Sequence, residues 1–306
     1  MTVRILSLEN FFKPEHKDDF IQSLKISLSE TGFVRIKNHG LKKNELDKAY
    51  DLIGKLFSFS ESEKNRYRLP SLGLRGYTDF GVEKAKGQAK GDLKEFWHIG
   101  KDLPKDSPYI DRYPANIWPQ GLPEFQPVFS SLFTQLEGIA LSLLDAIGQA
   151  YQLNPNYFPS LVKDGNSILR LIHYPATAGL DTKNQMRAAP HADINLMTLL
   201  VGATDSGLQL LDKKGNWIDV ETNQNEIVVD TGDMMARITG NTLPSTVHRV
   251  INPDQSTNAR YSMPFFLHPH SDALLSPLPE FKPKNHVPPI TAGEFLDQRL
   301  SENGLK

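Results

Sequence analysis

After about residue 165 the chain stops repeating its apolar residues every three or four positions and breaks into short β-rich runs, a change that restricts the available folds severely. The runs are SILRLIHYP, NLMTLLVGA, GLQLLD, NWIDV, EIVVDTG, STVHRVI and RYSMPFFLHP, separated by turn signals such as TDSG, DKKGN and INPDQS. Many short strands with no helices between them point to a barrel or jelly roll and away from a sheet of βαβ units. Ahead of them the periodicity is helical. Phe20, Leu24 and Leu28 predict a helix over 14–31 with Gly32 as its stop, and FVRIKNHG a short strand and turn. Leu46, Tyr50, Ile53 and Phe57 predict a second helix, and Phe129, Leu132, Leu136, Ile139, Leu143 and Ile147 a long one. The stretch from about 71 to 100, rich in Gly and Lys, reads as a long loop ending in KEFWHIG, and the tail TAGEFLDQRL as a helix. The expected fold is mainly β with flanking helices. One domain is expected over 1–306, with a helix-rich region at 1–160, a β core at 165–275 and a C-terminal helix at 290–306.

Composition removes several classes of function. The chain has no cysteine, which excludes disulfides, thiolate nucleophiles and thiolate-held zinc or iron–sulfur centres, so any metal must be held by His, Asp or Glu. Lys and Arg number 34 against 36 Asp and Glu, a formal charge of -2. Neither KAKGQAKGDLK nor KPEHKDD is dense enough in cations to read as a nucleic-acid stripe, and both are expected as solvated loops or helix faces. MTVRILSLENFFKPEHKDD lacks the apolar stretch of a secretory signal, and no run of about 18 apolar residues stands out. The expectation is a cytoplasmic protein without nucleic-acid or membrane partners.

The chemistry begins at PHADINLMTLL, residues 190–200. Side chains at i and i+2 of a strand share a face, so a strand starting here would project His191 and Asp193 together. His248, among the β-branched residues of STVHRVI, follows 55 residues after Asp193 on another strand of the same core. Two imidazoles and one carboxylate make a facial triad with open coordination positions, the arrangement of non-haem Fe(II) oxygenases. A lone H-x-D also arises by chance, as surface or structural residues. What lifts it above chance is RYSMPFF, where Arg260 and Ser262 again stand at i and i+2. A guanidinium inside an apolar strand needs an anion, and a carboxylate is its natural bidentate partner. An open-sided iron beside a carboxylate clamp suits a dicarboxylate that chelates the metal at one end.

The order H-x-D, H, R-x-S is accompanied by TGFVRIKNHG, LRGYTDFG, DLKEFWHIG, LRLIHYP, GLQLLDKKGNWIDV, GDMM and STVHRVINP. Together these resemble, over most of the chain, the isopenicillin N synthase-like family of Fe(II)- and 2-oxoglutarate-dependent dioxygenases, especially its bacterial members. The resemblance implies a double-stranded β-helix (jelly-roll) core forming a single oxygenase domain, with iron held by His191, Asp193 and His248. It implies that Arg260 and Ser262 grip the distal carboxylate of 2-oxoglutarate. Tyr174 matches the Tyr of the family's Tyr-Pro strand, whose hydroxyl reaches that carboxylate, and reads equally as an aromatic core residue. The implied reaction is oxidation, hydroxylation foremost, of a small organic molecule by O2, with release of succinate and CO2. Two alternatives stand beside it. One is an oxidase that dispenses with 2-oxoglutarate, in which Arg260 and Ser262 hold a substrate carboxylate. The other is a non-catalytic ligand-binding protein on the same barrel, which has no need of a complete triad.

For the substrate no code is readable. Arg75, Tyr77, Phe80, Lys94, Phe96 and Trp97 from the 71–100 stretch, with Arg170, Asn184 and Arg187 beyond it, are candidate lining groups, and each reads equally as packing or surface. Arg187 is the first choice for contact with an acidic substrate, although a loop Arg beside Lys183 is ordinarily solvated. His268 and His270 share a face but lack a carboxylate neighbour. His173 is read as cavity lining or barrel wall, His39 as a turn or core histidine, and Asp205 and Asp233 as turn caps.

Overall fold

The computed structural model describes residues 3–69, 75–83, 91–178, 186–204, 206–221, 223–252, 257–281 and 287–302. In the first half the elements are β1 (Ile5–Ser7), α1 (Pro14–Thr31), β2 (Phe33–Lys37), α2 (Lys43–Phe57), α3 (Glu61–Asn65), β3 (Gly76–Thr78), β4 (Glu95–Gly100), α4 (Phe125–Ala150) and α5 (Tyr157–Val162). The second half holds β5 (Ile168–Tyr174), β6 (Ala188–His191), β7 (Met197–Val201), β8 (Leu208–Leu211), β9 (Trp217–Asp219), β10 (Glu226–Thr231), α6 (Asp233–Ile238), β11 (His248–Val250), β12 (Arg260–Leu267), β13 (Leu274–Leu275), β14 (Ile290–Thr291) and α7 (Ala292–Glu302).

The predicted helices form where their apolar stripes fall. α1 begins on Pro14, whose fixed φ suits a first turn, and ends on Gly32 at φ 72, a left-handed conformation that favours glycine. A Cβ at Gly32 would meet Pro244 O at 2.6 Å and Thr246 Oγ1 at 2.7 Å, so the helix end lies directly against the segment that leads into β11. Thr246 Oγ1 donates to Thr31 O at 2.7 Å and completes this clasp. By length and composition α4 is the one helix among the described residues able to cross a membrane, although its sequence shows no unbroken apolar run. Here its apolar stripe, Phe129, Leu132, Leu136, Leu143 and Ile147, is buried in the protein core.

Two sheets face each other. The larger has the order β1-β2-β10-β7-β12-β5-β4-β3, the smaller β6-β11-β8-β9, and only the β1–β2 pair is parallel. The larger sheet is buried on both faces, which explains its nearly continuous apolar runs. Leu169 and Leu171 of β5, Leu199 of β7, Val229 of β10 and Phe265 of β12 join α1, α2 and α4 in the main core. Their alternating neighbours, Arg170, Ile172, Tyr174, Thr198, Leu200, Val228, Asp230, Arg260, Ser262 and Pro264, line a cavity whose opposite wall is the smaller sheet.

Two expectations are corrected. The 71–100 stretch is not simply a loop, because β3 and β4 lie within it and KEFWHIG is a strand paired to β5, with Glu95–Gly100 entirely buried. The run PHADINLMTLL is not one strand either. His191 ends β6 in the smaller sheet, β7 begins at Met197 in the larger, and Asp193 lies in the link between them.

Candidate metal centre

The three sequence-predicted ligands meet, by a different route from shared strand alternation. Pairing of β6 with β11 sets His191 directly opposite His248, with ring centroids 4.5 Å apart. Asp193 then turns in from the link. Its Oδ1 is 3.8 Å from His191 Nε2 and 3.7 Å from His248 Nε2, and the three donor atoms all lie within 4.8 Å of one another. These separations exceed a hydrogen bond and suit atoms arranged around a common centre.

Each donor is oriented by its own neighbours. His191 Nδ1 lies 2.7 Å from Ala189 O, and His248 Nδ1 lies 3.2 Å from Thr246 O. Donation at Nδ1 leaves the Nε2 lone pair available to a metal. Burial, reinforced by His248, holds the His191 imidazole below its ordinary pKa and therefore neutral. Thr198 Oγ1 donates to Asp193 Oδ2, which leaves Oδ1 facing the imidazoles. Asn195 Nδ2 in turn donates to Thr198 Oγ1 at 3.0 Å. The link itself is held where Asp233 N donates to Asp193 O at 2.7 Å. Two imidazole nitrogens and one carboxylate oxygen, without thiolate, form a donor set that fits Fe(II).

The remaining predicted site residues share the same cavity. Arg260 begins β12 opposite Tyr174 of β5, its guanidinium 4.8 Å from the tyrosine ring, and Ser262 stands opposite Ile172. Arg260 and Ser262 are both 1% exposed. Asp230, which sequence reading passed over, also lines the cavity. Burial and the nearby Asp193 push its carboxyl well above the ordinary range. The signal was present in EIVVDTG, where a carboxylate interrupts an apolar strand as Arg260 does in its own.

Other expectations resolve variously. Lys94, at the end of KAKGQAKGDLK, is buried and lines the cavity together with Arg170, so that stretch is not a solvated loop at this end. Arg187 is fully buried, contrary to its expected solvation. Phe96 packs beneath Arg170, whereas Tyr77 donates to Glu95 on the other face of the sheet and Trp97 and Arg75 are core residues. Phe80 is half exposed against the edge of His173, and His173 Nδ1 pairs with Glu95 Oε1 at 2.7 Å outside the cavity. His39 is buried, and so is His268, while His270 bonds Tyr109. Asp233 opens α6 and pairs with Arg299. Asn184, Lys183 and Asp205 lie outside the described residues.

Two apposed sheets enclosing a two-imidazole, one-carboxylate centre and a buried arginine define a non-haem metal oxygenase. Comparison with known proteins makes the class specific. Residues 165–269 match the 2OG-Fe(II) oxygenase superfamily, and residues 3–121 match the non-haem dioxygenase in morphine synthesis N-terminal model. A 2-oxoglutarate-dependent dioxygenase of Monascus ruber is 31% identical over 84% of this chain and 81% of its own. A proline hydroxylase of Petromyces alliaceus is 31% identical over 98% and 99%. Among solved structures, a 2OG-Fe(II) oxygenase family protein from Caulobacter crescentus is 39% identical over 98% of both chains, with a TM-score of 0.89. A Neurospora crassa protein solved in complex with alpha-KG and thymine is 27% identical over 98% and 96%, with a TM-score of 0.86. The chain belongs to the 2OG-Fe(II) oxygenase superfamily and is a 2-oxoglutarate-dependent dioxygenase that uses Fe(II) and O2.

Proposed function

We propose that His191, Asp193 and His248 hold the iron, that Arg260, Ser262 and Tyr174 hold the distal carboxylate of 2-oxoglutarate, and that the chain hydroxylates a small organic molecule. The observation that carries this reading is the convergence of three donor atoms within 4.8 Å in the same cavity as the buried Arg260. With both bound, iron and 2-oxoglutarate supply O2-dependent oxidation, the cosubstrate leaving as succinate and CO2.

The chain's own residues orient and exclude. Backbone carbonyls of Ala189 and Thr246 hold the two imidazoles, and Thr198 holds the carboxylate between them. Arg260 neutralises charge at the far end through a planar fork suited to a carboxylate, with the Ser262 hydroxyl as a further donor. Ile172, Leu200, Val228 and Pro264 keep much of the wall apolar, which limits water around the reacting groups. Proteins of similar structure bind small molecules such as thymine, which supports the same class here.

The test is anaerobic titration with Fe(II) and then 2-oxoglutarate, following the visible charge-transfer band of a metal-chelated keto acid, with Arg260→Ala as control. A band in the wild type that weakens in the variant is expected. Iron binding without a band would favour the oxidase lacking 2-oxoglutarate, and absence of iron binding would overturn the triad.

A further inference from the structure

The proposed cofactor groups account for only part of the polar wall. Lys94 and Arg170, from β4's approach and β5, line the same cavity and are used by neither iron nor 2-oxoglutarate. Lys94 is buried and Arg170 largely so, with side chains 7% and 16% exposed. Lys94 Nζ contacts Glu83 Oε2 at 2.7 Å and Asp92 Oδ2 at 2.9 Å. Arg170 Nη1 donates to both Glu83 oxygens at 3.2 and 3.0 Å, and Nε donates to His98 Nε2 at 2.6 Å. Its guanidinium lies 4.3 Å from the Phe96 ring and 5.2 Å from the Phe266 ring. The group is therefore held by aromatic rings as well as by hydrogen bonds.

The donor inventory leaves two groups over. An ammonium has three N–H bonds, and Lys94 spends two of them on Glu83 and Asp92. Arg170 Nη2 has no hydrogen-bond partner among the described residues. In charge, however, nothing is left over, because two cations stand against two carboxylates. Burial alone would push Glu83 up, but Arg170 and Lys94 outweigh it and hold the carboxyl well below its ordinary range. Burial alone would push Lys94 down, and Glu83 with Asp92 holds it up instead.

We propose that Lys94 and Arg170 form the substrate-recognition wall of the oxygenase, and that they select an uncharged, carbonyl-bearing small molecule over its carboxylate counterpart. A carbonyl oxygen accepts a spare N–H without adding charge. A carboxylate would bring an uncompensated charge against two cations that Glu83 and Asp92 already neutralise, at the desolvation cost of an unpaired buried ion. The other available walls, Leu200, Pro264 and Phe266, suit the apolar body of such a molecule. Asp92 Oδ1 also accepts from Ala189 N at 3.2 Å, which fixes the recognition wall to the strand carrying His191. The inference rests on the oxygenase site proposed above.

The test uses the full chain loaded with Zn(II), in place of iron, and 2-oxoglutarate, with binding read by ligand-observed NMR. The probes are two matched pairs: uracil with orotate, and 2-pyrrolidone with pyroglutamate. In the wild type the neutral member of each pair is expected to bind about ten-fold tighter or more, and Arg170→Gln and Lys94→Met should each weaken that binding about ten-fold. In the same variants loaded with Fe(II), the 2-oxoglutarate charge-transfer band should keep its wild-type midpoint. Tighter binding of the carboxylates, no binding of either neutral probe, or unchanged neutral binding in both variants would overturn the proposal. Loss of the band in both variants would also overturn it, since the cluster would then be structural. A wild type that shows no band at all would instead refute the oxygenase reading beneath it.

Discussion

Replacement of Gly232 by alanine tests the geometry of the metal link with a single methyl group. Gly232 sits at φ -94 and ψ -178, where alanine's backbone is unstrained, so any effect must come from the added Cβ. That atom would lie 2.3 Å from Asn195 O, 2.5 Å from Asn195 Oδ1 and 2.9 Å from Asp193 O, whereas ordinary contacts begin at 3.4 Å. The link carrying Asp193 must therefore retreat by about 1 Å, and overpacking of this kind costs about 1–3 kcal/mol. The reduced freedom of the unfolded chain returns only about 0.4–1 kcal/mol. Thermal unfolding of the metal-free variant should fall by a few degrees. Metal sites tolerate only about 0.2 Å in ligand distance, so Fe(II) affinity, measured by anaerobic competition with a chelator, should fall about 10–100-fold. Gly138→Ala is the control. It lies in α4 with nothing within 4 Å of its added Cβ, and should stabilise the protein by about 0.5–1 kcal/mol with iron binding unchanged. Wild-type melting and iron affinity in Gly232→Ala would refute the reasoning.

Thr198→Val removes the donor to Asp193 Oδ2 with little change of shape and should weaken Fe(II) binding about 10-fold or more, while Thr198→Ser restores most of it. Equal affinities for all three proteins, by the same competition titration, would show that the hydroxyl does not position the ligand. Outside the cavity, burial pushes Glu95 up, but hydrogen bonds from His173, Lys64 and Tyr77 outweigh it and hold the carboxyl below its ordinary range. A depressed carboxyl adds stability above its unfolded pKa, about 4.3, and that stability is lost as pH falls through the lower folded value. Urea denaturation should therefore show the wild type losing stability more steeply than Glu95→Gln on acidification below about pH 5, and parallel pH profiles would contradict this.

What the sequence disclosed follows from which forces are local. α1, α2 and α4 were legible because a helix writes its buried stripe at a period of its own, and Pro14 and Gly32 mark the ends of α1. The strands from β5 to β12 were legible as apolar runs between turns, with β6 the exception. It is four residues long, contains Pro190 and owes its existence to pairing with β11. β4 was missed because a strand buried on both faces has no alternation to display. His191, Asp193 and His248 do converge, yet i, i+2 alternation is not what brings them together, since Asp193 lies beyond the end of β6. The Glu83–Lys94–Arg170 cluster was invisible as a cluster, because Arg170 is 87 residues from Glu83 and only the β4–β5 pairing region brings them together.

The sheet order bears on how this chain can be divided. β2 covers the free side of β10, β4 covers the free side of β5, and the α1 end clasps the approach to His248. A fragment cut at residue 165 would keep every proposed iron and 2-oxoglutarate residue while baring both flanks of its larger sheet and loosening the strand that begins at His248. Two long hydrophobic edges invite pairing between copies, so such a fragment should precipitate. The proposed site residues sit late in the chain, but they are not a portable cassette: β2 and β4, from the first 100 residues, flank the sheet that carries Arg260 and Ser262.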